Sequence, residues 1–301
     1  MRHVTCVLDA QAQLGECPRW DAGGRDAGGR DAGTGVLYWV DIPAKTLHRF
    51  DPSSGQDVQR GFSQPAACLA RHGAHGFALG MKDGFALLSD FGAEPEPLGA
   101  QVEETRPDNR FNDGRCDRLG RFWSGTLDGT KQHRNGTLYR LGIDGVVTEM
   151  ATGFLTSNGI AFSPDDRTFY LADTPNHVIH AYDFDLASGR IANQRVFHQF
   201  PHGLGRPDGA SVDAEGCYWT ALYDGGRVVR LSPAGEILEE VAIPARLCTM
   251  IAFGGPDLKT AYVTTARQKL DDEELARHPQ SGGIFSFRVD VPGLAEHKYG
   301  G

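Results

Sequence analysis

Residues 217–231 read CYWTALYDGGRVVRL. An apolar, aromatic-rich run, the turn Asp224-Gly225-Gly226 and a second run in which valines sit between arginines make the pattern of a β-hairpin. Similar units stand on either side: VLYWVDI…LHRFD from Val36, GFALGMKDGFALL from Gly76, RFWSGTLD…GTLYRL from Arg121, TFYLADTPNHVIHAYDF from Thr168 and TAYVTTA…GGIFSFRV from Thr260. Equivalent positions in the six units, Leu37, Phe77, Phe122, Phe169, Tyr218 and Ala261, lie 40, 45, 47, 49 and 43 residues apart. That interval is the length of one four-stranded blade, so the expected fold is an all-β, six-bladed β-propeller. It would occupy residues 1–301 as a single domain, with Val4–Leu8 adding an outer strand to the last blade and closing the ring.

Composition agrees with this reading. The 301 residues include 39 Gly and 16 Pro with 23% charged residues, which favours many turns over long helices. Residues 21–35, DAGGRDAGGRDAGTG, break the repeat; they carry nothing apolar beyond Ala and are expected as a mobile surface loop inserted between the first two strands of the first blade.

A net charge of −9 with no basic cluster argues against a nucleic-acid partner. No apolar run is long enough to span a membrane, and the N-terminal residues lack a signal-peptide pattern, so a cytoplasmic protein without a membrane partner is expected, a monomer being the simplest form. The six cysteines stand singly and read as reduced thiols. There is no G-x-S-x-G, H-E-x-x-H or P-loop, and no G-x-G-x-x-G between a strand and a helix.

The strand ahead of each hairpin carries the functional signal. Four of these strands fall into register as Glu16-Cys-Pro-Arg-Trp-Asp, Asn112-Asp-Gly-Arg-Cys-Asp, Asn158-Gly-Ile-Ala-Phe-Ser and Asp208-Gly-Ala-Ser-Val-Asp. The same position in the other two blades falls on Pro65 and Thr249, so a polar residue there is not a requirement of the fold. Equivalent positions of a propeller converge on its axis, and two bare carboxylates meeting there would resist ionisation. A cation resolves that conflict; oxygen donors suit Ca²⁺, Mg²⁺ or Mn²⁺ and, less selectively, Fe²⁺ or Zn²⁺. The competing reading makes Asn-Gly and Asp-Gly simple turn starters. His177 and His180, three apart on a strand, would point to opposite faces, whereas His202, just ahead of Asp208, is the histidine close enough in sequence to line the same pocket.

Through LGECPRW, RFNDGRCDRLGRFWSGT, SNGIAFSPDDRTFYLAD and RPDGASVDAEGCYW, in that order, the chain resembles the SMP-30/gluconolactonase/regucalcin-like family of sugar lactonases over nearly its whole length. The resemblance implies that Glu16, Asn158 and Asp208 hold one divalent cation and that Arg110 and Asn112 contact the hydroxyls of a small-molecule sugar lactone. It departs from the family where animal regucalcins place a sugar-binding Glu: this chain has Thr130, with Asp128 as a substitute. The implied chemistry is hydrolysis of an aldonolactone to an aldonic acid, the ion serving as Lewis acid and Asp208 as general base. The alternatives are a calcium-binding regulatory protein without turnover and a metal-dependent hydrolase of phosphotriesters or other esters.

Overall fold

A computed structural model of the chain describes residues 2–23 and 35–301. These form six four-stranded antiparallel sheets. In each the strand earliest in the repeat lies on one edge: Gly15–Asp21, Ala66–His72, Asn109–Cys116, Ser157–Phe162, Arg206–Val212 and Leu247–Gly254 in blades 1 to 6. These edge strands touch their neighbours in sequence, and the sixth returns to the first, so they are the inner strands of a six-bladed propeller.

The six hairpins supply the second and third strands of the blades, among them Val36–Asp41 and Thr46–Asp51 in blade 1 and Tyr218–Tyr223 and Arg227–Leu231 in blade 5. Burial falls with distance from the axis. VLYWVD of Val36–Asp41 is buried throughout because neighbouring blades cover both faces, whereas the outer strand Arg190–Gln199 of blade 4, RIANQRVFHQ, is mostly exposed. The chain closes as expected: Thr5–Leu8 pairs antiparallel with Ile284–Arg288 as the outer strand of blade 6. Asp21 pairs with Val36, so the low-complexity insert does fall between the first two strands of blade 1; its residues 24–34, and with them the expectation of a mobile loop, lie outside the described residues.

Every inner strand loses register with its neighbour close to its start, for example between Glu16 and Arg19, Phe111 and Gly114, Asn158 and Ala161, and Pro207 and Ala210. Such bulges re-aim side chains at the end of a sheet, and here they fall on the polar positions singled out in the sequence. Asn158-Gly159 and Asp208-Gly209 therefore lie within strands and are not turns. Their glycines serve close approach: a Cβ on Gly159, where φ is +58°, would meet the Tyr218 hydroxyl at 2.2 Å, and one on Gly209 would meet Met250 at 2.4 Å. His177 differs from expectation. It caps the short 3-10 turn Thr174–Asn176 with φ 57°, ahead of the strand Val178–Asp185 that carries His180. No helix among the described residues is long and apolar enough to cross a membrane.

Candidate metal and substrate site

Glu16, Asn112, Asn158 and Asp208 are all buried and line one cavity of about 530 Å³ at the end of the inner strands, together with Arg110. Each is carried by the bulged start of a different inner strand, except that Arg110 and Asn112 share one. Residues separated by up to 192 positions thus meet at the axis, as the repeat register predicts.

The hydrogen bonds orient these groups. The Asn158 amide nitrogen donates to Thr174 Oγ1 at 3.1 Å and to Asp208 Oδ1. Thr174 in turn donates to Pro207 O at 2.8 Å. With its nitrogen held on two oxygens, Asn158 turns Oδ1 the other way, and that buried oxygen has no hydrogen-bond partner. Buried polar atoms are rarely left so, and an orphan acceptor next to two carboxylates fits a cation. Burial, reinforced by the Asp208 and Asp113 charges, pushes the Glu16 carboxyl well above the usual range. Burial and Asp113 do the same to Asp208, against the pull of Lys131 and Arg206. Among the described residues no three His, Cys, Asp or Glu side chains are grouped to hold an ion; the oxygens that could do so here are the two carboxylates and the Asn158 amide.

Arg110 is fixed over the same cavity. Its Nη1 donates to Phe111 O at 2.7 Å and to Asn112 Oδ1 at 3.0 Å, while Asn112 Nδ2 donates to Ser157 O at 3.1 Å. Nε and Nη2 of Arg110, a residue that lines the cavity, have no hydrogen-bond acceptor among the described residues.

Three other candidates stand apart. Asp128, Thr130 and His202 do not line this cavity. Asp128 faces its own loop and accepts from Thr130 N at 3.0 Å, Thr130 Oγ1 at 2.7 Å, Gln132 N at 2.9 Å and His133 N at 2.6 Å. Burial opposes its ionisation, yet these donors, His133 foremost, hold the carboxyl below the carboxylate range. The sequence comparison aimed Asp128 and Thr130 at the sugar; the hydrogen bonds aim them at each other. What this loop presents to the cavity is Lys131, at φ +59°. His202 is exposed and packs against His177 with ring centroids 4.1 Å apart and the rings tilted by 48°. Lys131, Thr174, Arg206 and Lys269 line the cavity without having been singled out in the sequence, since none sits at the repeat position.

Beneath the polar ring lies a second buried charge cluster. Arg19 and Arg115, each three residues after Glu16 and Asn112 in the repeat frame, reach Glu296 of the C-terminal segment at 3.7 and 3.4 Å. Arg19 also stands 4.0 Å from Asp113, which accepts from Gly114 N at 2.7 Å and Ile160 N at 2.8 Å. Burial opposes the Glu296 charge, but Arg115 and Arg19 hold its carboxyl below the usual range. The C-terminal segment crosses the far end of the channel from a bridge between Asp213 and Gly293 to one between His72 and Tyr299.

Comparison with known proteins agrees with this architecture. The chain is 42% identical over 299 residues to the 6-deoxy-6-sulfogluconolactonase of Pseudomonas putida, covering 99% of both chains. It is 33% identical over 305 residues to Xenopus laevis regucalcin, covering 99% of this chain and 98% of the relative. The crystal structure of a calcium-binding protein, regucalcin, from Agrobacterium tumefaciens superposes with a TM-score of 0.91 at 28% identity, over 99% of this chain and 97% of the other. A family model described as the SMP-30/Gluconolactonase/LRE-like region matches residues 14–267, which span the propeller from the first inner strand to the end of Thr260–Ala266, and the chain belongs to that family.

Proposed function

We propose that this protein hydrolyses sugar lactones to aldonic acids, with Glu16, Asn158 and Asp208 holding one divalent cation. The observation that carries the metal assignment is the orphan Asn158 Oδ1 beside two buried carboxylates. The lactonase assignment is supported by the lactonase named among the relatives and by the arginine and asparagine fixed over the same cavity. A bound ion supplies positive charge that polarises the lactone carbonyl and offsets charge developing on its oxygen.

The protein's own groups do the rest. Arg110 donates through Nε and Nη2 to the ring hydroxyls, and Asn112 keeps the guanidinium from turning away. Asp208 accepts a protein hydrogen bond on Oδ1 but none on Oδ2. That free oxygen takes a proton from the attacking water and passes it to the ring oxygen as the acyl C–O bond breaks. Nothing in this scheme needs a covalent nucleophile.

The relatives named regucalcin support a second reading, calcium binding without turnover. Arg110 weighs against it, because an ion buffer has no use for a guanidinium held open toward a cavity. The two readings separate in one assay. Chelated protein is presented with hexono- and pentonolactones, sulfonated ones included, while Ca²⁺, Mg²⁺, Mn²⁺, Fe²⁺ and Zn²⁺ are added back singly, with Asp208→Ala as control. Acid release restored by an ion and absent from the variant supports the lactonase. Ion binding without turnover of any lactone would leave only the binding role.

A further inference from the structure

The chain carries a net charge of −9, yet its large cavity is lined by four basic side chains, Arg110, Lys131, Arg206 and Lys269, against two acidic ones, Glu16 and Asp208. Two of the four are accounted for. Arg110 is fixed on Asn112, and Arg206 is paired with Asp224 and lies 5.1 Å from the Tyr223 ring. Lys131 and Lys269 are not. Among the described residues neither ammonium has a carboxylate within ion-pair distance, and the one side-chain partner of Lys131 is the neutral Thr156 hydroxyl at 2.9 Å.

Their placement narrows what they serve. Lys131 comes from the loop after Phe122–Asp128 in blade 3, Lys269 from the segment after Thr260–Ala266 in blade 6, two blades that face each other across the axis. Both residues are exposed at the mouth, whereas Glu16, Asn158 and Asp208 are buried at the bottom. Although the Lys131 side chain reaches solvent, a charge here is penalised: the surrounding cavity wall desolvates it and Arg110, with Lys269 adding to it, repels it, bringing the ammonium down to about 8 against the pull of Asp208 and Asp128. Lys131 is nevertheless held in place, since the Asp128 hydrogen bonds build the turn that carries it. An oriented, unpaired cation that its surroundings penalise is arranged for an anion that arrives from outside.

We propose that the lactone accepted by this cavity bears an anionic substituent on the exocyclic carbon remote from its carbonyl, and that Lys131 and Lys269 bind that anion. This rests on the lactonase reading above, which puts the carbonyl beside Glu16, Asn158 and Asp208 and so leaves the far end of the sugar at the mouth. The recognised chemistry is an oxyanion; sulfonate, phosphate and carboxylate share it.

The test measures kcat and KM for glucono-1,5-lactone and for its counterparts carrying a sulfonate, a phosphate or a carboxylate at carbon 6, using metal-loaded protein. At least one anionic lactone should exceed the neutral one in kcat/KM by about tenfold or more, the worth of one charge-assisted contact, and which one does identifies the anion. Rising salt should shrink that advantage. Lys131→Met and Lys269→Met should each cut it several-fold through KM, with Lys131→Arg restoring part of it. Equal kcat/KM for neutral and anionic lactones, or a preference untouched by both Met variants, overturns this inference and leaves the lactonase standing. Turnover of no lactone at all overturns the lactonase reading and this inference with it.

Discussion

Glu16, Asn112, Asn158 and Asp208 stand at one end of four inner strands; five residues on, at the other end of the same strands, stand Asp21, Asp117, Ser163 and Asp213. The residue types are alike and, apart from the half-buried Ser163, so is the burial, but the two rings have opposite hydrogen-bond accounts. Asp117 Oδ1 accepts from Leu119 N and Arg121 N, and its Oδ2 from Arg121 Nε and Trp123 Nε1. Asp213 repeats the scheme with Glu215 N, Cys217 N, Arg230 Nε and Trp219 Nε1. Each folds a tight turn onto its own blade, closed by Gly120 or Gly216 at a positive φ. At the other end Asn158 leaves an oxygen orphaned and two carboxylates crowd each other. A polar residue at a repeat position thus has two physically distinct uses, and satisfaction separates them: the turn ring is complete within the protein, the axial ring is not.

The contrast breaks if the two ends respond alike to substitution. Asp208→Asn should have the largest effect, lowering kcat by about 10²–10⁴-fold, the range a general base supplies. It should also raise the thermal midpoint of the metal-free protein, because a carboxylate crowded by Glu16 and Asp113 is removed. A midpoint that falls would place Asp208 with the turn carboxylates. Asp213→Ala has the reverse signature: denaturant unfolding should show a loss of about 2–4 kcal/mol, since it strands the buried Trp219 Nε1 and Cys217 N donors and leaves the half-buried Arg230 with Glu215 alone, while kcat per folded molecule is unchanged.

Two smaller effects sharpen the comparison. An activating cation at about 100 times its Kd should stabilise the wild type by about 2.7 kcal/mol, read as a midpoint shift that chelation reverses; Asp208→Asn should lose this shift and Asp117→Asn keep it. Asn112→Ala, which frees Arg110 without touching the proposed ion ligands, should raise KM by about 2–10-fold, the worth of one ordinary hydrogen bond, and leave kcat nearly constant. A drop in kcat of the Asp208 size would instead put Asn112 among the groups that act on the reacting bond.

The propeller and its axial ring were legible in the sequence because repetition reveals them: a residue at the same place in each blade must reach the same axis, whatever its separation along the chain. Lys131 and Glu296 were not, because neither belongs to the repeat. Lys131 reaches the cavity through a loop whose path is set by bonds to Asp128, and those bonds are what turned Asp128 and Thr130 from sugar contacts into scaffolding. His202 shows the same limit from the other side. It is six residues from Asp208 along the chain, but its segment is exposed, and its ring pairs with His177 instead.

Glu296, drawn between Arg19 and Arg115, ties the C-terminal segment across the far end of the inner strands, between its bridges to Asp213 and His72. The propeller is therefore a cup and not a pipe. Whatever is consumed and whatever is made then passes the same opening, one after the other; on the proposed reaction, the acid would have to clear the two lysines before the next lactone enters. Product inhibition of this protein should be competitive, and traffic through the mouth, rather than events at the floor, becomes the step on which turnover can stall.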